Sequence, residues 1–131
     1  MELIARIKET LGSVPPNPQR VIKRIAHFAT HKDAPFLTQL VVTRRCNLSC
    51  GYCNEYDDFS DPVPTEVLFQ RIDHLAALGN FSLTLTGGEP FLHPDLDKLV
   101  ARAVSHGMIV TSISNAYGVT KKRIDQMNEA G

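Results

Sequence analysis

From residue 36 onward the chain alternates between short β-branched runs and amphipathic helical runs, and this alternation limits the fold to few choices. "FLTQLVVT" (36–43), "FSLTLT" (81–86) and "MIVTSIS" (108–114) have the composition of strands. Between them, apolar residues recur at helical spacing: Leu68, Ile72 and Leu75 within 66–78, then Leu96, Leu99, Val100 and Ala103 after Asp95. Thr65 and Asp95 stand where helix N-caps are expected, and Gly79 and Gly107 where the helices stop. A last helix is expected after Thr120, with Val119 and Ile124 at staple spacing, running to Ala130. The order strand, helix, strand, helix, strand, helix implies parallel strands joined by right-handed crossovers, an α/β fold.

Two helices are expected before this region. Leu3, Ile4, Ile7 and Leu11 share one face, and Val21, Ile22, Ile25, Phe28 and Ala29 repeat the spacing. Pro15, Pro16 and Pro18 forbid one continuous helix across both. The expected organisation is therefore an N-terminal helical extension over 1–35 and a core domain over 36–131.

Composition excludes several functions. Lys plus Arg is 14 and Asp plus Glu is 14, so the formal net charge is zero. A general nucleic-acid binder needs a basic surface, and a polybasic membrane anchor needs a cationic cluster. "MELIARIKET" mixes charges with its apolar residues and reads as neither a secretion signal nor a lipid anchor. No apolar stretch is long enough to span a bilayer. No nucleic-acid or membrane partner is expected, and a reducing cytoplasm is the expected compartment.

All three cysteines lie in the octapeptide "CNLSCGYC" (46–53). An odd, crowded set cannot be a disulfide framework for a domain. Thiolates suit zinc and iron–sulfur clusters. Structural zinc takes four protein ligands, so it would need one of His27, His31, His74, His93 or His106, none of which has zinc-finger spacing. As ordinary polar surface or helix-end residues, these histidines need no metal. A cubane cluster held by Cys46, Cys50 and Cys53 would leave one iron without a protein ligand. That arrangement suits an enzyme that places substrate on metal better than simple electron transfer, where four cysteines are usual.

"TGGEP" follows the second strand. Gly87 and Gly88 allow close backbone approach to a ligand, and Glu89 adds a carboxylate that could accept hydrogen bonds from an ammonium group. The alternative is a tight turn with a solvated Glu89. "RRCNLSCGYC", "GGEP" and "NAYG" each follow a strand, and in parallel α/β sheets ligands bind at the carboxyl ends of the strands. The three loops are expected to meet at one edge.

The CxxxCxxC spacing of "CNLSCGYC", with an aromatic before the last cysteine, together with "TGGEP" at the end of the next strand, resembles the radical S-adenosylmethionine (radical SAM) superfamily. The resemblance covers roughly residues 36 to 131. It implies that Cys46, Cys50 and Cys53 ligate a [4Fe-4S] cluster whose fourth iron chelates the amino nitrogen and carboxylate of SAM. It implies that Tyr52 lies against the adenine and that Gly87, Gly88 and Glu89 meet the methionine ammonium group. Asn115, in "SNAYG", resembles the polar turn after the third strand in many members; as a plain turn residue before Gly118 it would need no ligand. The implied reaction is reductive cleavage of SAM to methionine and a 5′-deoxyadenosyl radical that abstracts hydrogen from an unknown substrate. A reductant such as a ferredoxin or flavodoxin is implied as partner. No residue of the chain is singled out as catalytic.

Family members have a partial barrel of about six β/α units, in line with roughly 200 residues for barrel-type domains. Three units are present here, so the expectation is the N-terminal half of a partial (β/α)6 TIM-like barrel preceded by two short helices. An uncovered third strand then predicts association with a complementing chain or with a second copy. Two alternatives to an active enzyme stand beside this: a non-catalytic metal-binding fragment, and half of a split enzyme.

Overall fold

The computed structural model describes residues 18–131. The first expected helix, around Leu3 to Leu11, lies outside the described residues. The second forms α1 (Pro18–Thr30). Pro18 is its first residue, where a missing N–H breaks no helical bond.

Three strands follow, β1 (Leu37–Thr43), β2 (Ser82–Gly87) and β3 (Ile109–Ser112). They form one parallel sheet in the order β1-β2-β3. Helices α2 (Thr65–Ala77) and α3 (Leu96–Ser105) are the crossovers, and α4 (Lys121–Ala130) follows β3. The observed β3 is shorter than expected, though Ile113 N–H still donates to the Leu85 carbonyl at 3.1 Å.

One face of the sheet is closed. Leu40, Val42, Leu83 and Leu85 pack against Leu68 and Ile72 of α2 and Leu96, Leu99 and Ala103 of α3 in one buried cluster. Register explains the selection, since Leu40 pairs with Leu85 and side chains of paired residues share a face. The opposite face carries Leu37, Gln39 and Val41 from β1, Thr84 from β2, and Ile109 and Thr111 from β3. Leu37, Val41 and Ile109 are exposed there. Thr84 and Thr111 hydroxyls bond across it at 2.9 Å.

Both expected stops occur where glycine can turn the chain, with Gly79 and Gly107 each at φ 82°. Two expected caps do not form. The residue before α2 is Pro64, and Asp95 flanks α3 without a side-chain bond to its backbone. Instead the Thr65 hydroxyl donates to Asp95 Oδ2 at 2.6 Å, and Lys98 pairs with Asp95 Oδ1 at 2.7 Å. A carboxylate engaged by a hydroxyl and an ammonium gains more than from one backbone N–H. Thr120 caps α4 as expected, accepting from Arg123 N–H at 3.3 Å.

Candidate active site at the carboxyl ends of the strands

The loop after β1 is closed on itself. Cys46 N–H donates to the Asp57 carbonyl and Asp57 N–H to the Arg44 carbonyl, both at 3.0 Å. Asp57 is in turn held by Ser60, whose N–H donates to Oδ1 at 2.8 Å. The Ser60 hydroxyl bond, ahead of Ser60 and Phe59 N–H groups and the Arg44 charge, keeps the Asp57 carboxyl below the usual carboxylate range. The segment between, with all three cysteines, is thus tethered at both ends, and inside it Cys53 N–H donates to the Cys50 carbonyl at 2.9 Å. Cys46, Cys50 and Cys53 are free thiols of intermediate exposure.

The loop after β2 sits directly against it. Gly88 N–H donates to the Thr43 carbonyl and Glu89 N–H to the Arg45 carbonyl, each at 2.9 Å. The approach is so close that a Cβ on Gly87 would collide with the Thr43 carbonyl oxygen, and one on Gly88 with the Arg44 and Arg45 carbonyls. The glycines are therefore required by the packing of two protein loops, a reason additional to access for a ligand.

Glu89 is 1 % exposed, so the solvated-turn alternative does not describe it. Its Oε1 accepts from Phe91 N–H and from the Ser114 hydroxyl, both at 2.9 Å, and Oε2 accepts from Asn115 N–H at 2.8 Å. The carboxylate joins the loop after β2 to the loop after β3. Asn115 continues the chain of contacts: its Nδ2 donates to Asn47 Oδ1 at 3.0 Å and to Cys46 Sγ at 3.7 Å. Asn47 donates onward to the Tyr117 carbonyl at 2.7 Å.

One cleft of about 290 Å³ is lined by Cys46, Cys50, Cys53, Tyr52, Gly87, Gly88 and Asn115. Small-molecule sites commonly measure roughly 300–1,000 Å³. The loops after all three strands contribute to its lining. Tyr52 is 92 % exposed and keeps its ring face free. Its phenol is pushed above the usual tyrosine range, first by a hydrogen bond to Cys50 and then by the Cys50 charge. Of the residues singled out in the sequence, only Glu89 lies behind the cleft. Asn47 and Ser114 were not singled out; the signal for Asn47 was its place between Cys46 and Leu48, inside the cysteine loop.

None of the described histidines joins the thiols. His93 is 1 % exposed, so it is not the surface residue expected. Asp95 N–H donates to its Nδ1 at 3.2 Å, which leaves Nε2 protonated and donating to the Val63 carbonyl at 2.9 Å. His106 contacts Asp73 at 2.8 Å, and His27 stacks on His31 with ring centroids 3.9 Å apart.

Residues 40–131 match the family model described as the Radical SAM superfamily. The chain belongs to the radical SAM superfamily. Among curated relatives, a PqqA peptide cyclase of Ruegeria pomeroyi is 33% identical over 101 residues, 75% of this chain and 27% of that protein. A PqqA peptide cyclase of Bradyrhizobium diazoefficiens is 31% identical over 100 residues, 74% of this chain and 26% of that protein. This radical SAM chain thus spans about a quarter of the length of these relatives. Among solved structures, Streptococcus suis SuiB bound to the precursor peptide SuiA aligns with a TM-score of 0.65 at 18% identity, covering 94% of this chain and 32% of that one. BtrN in complex with AdoMet and 2-DOIA aligns with a TM-score of 0.62 at 21% identity, covering 74% and 42%. These structures share the fold.

The family implies a [4Fe-4S] cluster and SAM, and the donor set fits a cluster. Three thiols line one cleft and no described histidine is placed to complete a zinc site. Among the described residues no three His, Cys, Asp or Glu side chains converge on a single ion. A cubane would instead take one thiolate on each of three irons, so it would not require three donors on one ion. Among the described residues, no helix is long and apolar enough to cross a membrane.

Proposed function

We propose that this chain is the cofactor-binding part of a radical SAM enzyme that modifies a peptide. The observation that carries the reading is a cleft lined jointly by the three cysteines, Gly87, Gly88 and Asn115. In this reading, residues 36–131 are the first three units of a partial (β/α)6 barrel, and residues 1–35 are a helical extension. The open threonine-bearing face of the sheet becomes the barrel interior.

A cluster held by this chain and reduced by a partner such as a ferredoxin or flavodoxin would supply the electron for reductive cleavage of SAM. The residues of this chain hold and orient. Cys46, Cys50 and Cys53 are the cluster ligands. The exposed Tyr52 ring offers a surface for the adenine. The carbonyls of Gly87 and Gly88 take the methionine ammonium group, with the buried Glu89 carboxylate fixing their loop from behind. The peptide class rests on the relatives named PqqA peptide cyclases.

The test begins with anaerobic reconstitution by iron and sulfide. About four irons per chain, lost in Cys46→Ala, Cys50→Ala and Cys53→Ala, are expected for a cubane. Reduction in the presence of SAM should then yield 5′-deoxyadenosine. A deuterated peptide substrate should pass deuterium into that nucleoside. A cluster without nucleoside would make the chain a metal-binding fragment or half of a split enzyme.

A further inference from the structure

Asn115 does more than turn the chain, because every polar group of its side chain is used. Tyr117 N–H donates to Oδ1 at 2.8 Å. That bond decides which end of the amide is oxygen, so Nδ2 must face Asn47 and Cys46. Nδ2 is 3.0 Å from Asn47 Oδ1 and 3.7 Å from Cys46 Sγ. The backbone is pinned as well, since Asn115 N–H donates to the buried Glu89 carboxylate at 2.8 Å. Asn47 completes the latch by donating to the Tyr117 carbonyl at 2.7 Å. The loops after all three strands are thereby locked together, with an amide N–H aimed at one sulfur.

We propose that Asn115 is a positioning residue that latches the cysteine loop and, with a cluster bound, donates a hydrogen bond to the Cys46 thiolate that raises the cluster's reduction potential. The inference rests on the reading of the three cysteines as cluster ligands. Reduction adds one electron to the cluster, and part of its charge falls on the thiolate sulfurs. An N–H donor stabilises the reduced state more than the oxidised one. Ligation strengthens the geometry. The Cys46 thiol now lies 3.9 Å from Asn47 Oδ1 as a weak donor, and a metal-bound thiolate cannot donate. Asn115 then keeps Asn47 Oδ1 to itself, and Cys46 becomes acceptor only.

The test is an anaerobic redox titration of reconstituted wild-type protein, Asn115→Ala and Asn115→Asp, followed by electron paramagnetic resonance without SAM. Both variants should titrate at lower potential than wild type. Asn115→Asp should lie lowest, because its carboxylate cannot donate and brings a negative charge beside the thiolate. Hydrogen exchange without metal should be faster over residues 46–50 and 115–118 in both variants, which reports the latch. Equal potentials at matched cluster content overturn the proposal, even if hydrogen exchange changes. If the Asn115 variants do not fold, Asn47→Ala serves instead. It removes the acceptor that orients the amide, and an unchanged potential there overturns the proposal. Failure of the wild-type protein to take up a cluster overturns the parent reading, and this one with it.

Discussion

Gly87 and Gly51 lie on neighbouring loops of one cleft, yet their substitutions should differ sharply. Gly87 has φ 140°, and a Cβ would collide with the Thr43 carbonyl. Backbone strain of this kind costs about 1–3 kcal/mol before any displacement of β1 is added. Gly87→Ala should therefore lower unfolding free energy by at least ~2 kcal/mol and impair cluster uptake, since the displaced strand end leads straight into the cysteines. A Cβ on Gly51 would meet nothing within 4 Å. Gly51→Ala should stay within about 0.5 kcal/mol of wild type. Denaturant melts of the two variants and iron analysis decide the matter, and equal behaviour would show that the loops are not packed as described. The glycine pair was legible in the sequence as a site of close approach. What approaches it was not, because Thr43, Arg44 and Arg45 are brought there only by the pairing of β1 with β2.

At the scale of elements, α2 and α3 are tied at two points, and neither tie could be read from local patterning. Thr65 and Asp95 each carry a good capping side chain, but they are 30 residues apart and bond each other. Asp73 on α2 receives Arg102 Nε and Nη2 at 2.8 and 2.6 Å, and His106 Nε2 at 2.8 Å. The Arg102 bond first, then the His106 bond, holds the Asp73 carboxyl well below the usual range. A depressed carboxylate pKa stabilises the fold above the unfolded value of about 3.9, and the contribution is lost as pH falls below it. Asp73 is half exposed, so solvent screening limits the tie to less than about 1 kcal/mol. Asp73→Asn should lower the melting temperature at pH 7 and flatten its decline as pH falls below about 4. Parallel pH profiles of variant and wild type would remove the ion pair from the account. The strands and helices themselves were legible because Leu68, Ile72, Leu96 and Leu99 recur at helical spacing and all are buried. The burial of Glu89 was not, since Ser114 and Asn115 reach it from beyond the whole of α3 and β3.

At the scale of the molecule, the two faces of the sheet have opposite fates. Helices α2 and α3 seal one, while the other presents Leu37, Val41 and Ile109 to solvent, with Ile113 58 % exposed at its upper rim. Parallel sheets are normally covered on both faces. Among the described residues, an open apolar face lies beside an unpaired strand edge, which is a surface for association, and a formal net charge of zero offers no repulsion against it. In the barrel reading the same residues face the interior, where further β/α units would cover them. This chain by itself should therefore self-associate or bind a complementing chain. Leu37→Thr with Ile109→Thr should increase the monomeric fraction in light scattering after size-exclusion chromatography. Thermal stability should change little, because both side chains are about half exposed already. Val42→Thr, on the sealed face, should instead destabilise the fold by about 1–3 kcal/mol by burying a hydroxyl without a partner. A wild-type chain that runs as a sharp monomer at every concentration, unchanged by the double substitution, would show that the open face is not an association surface.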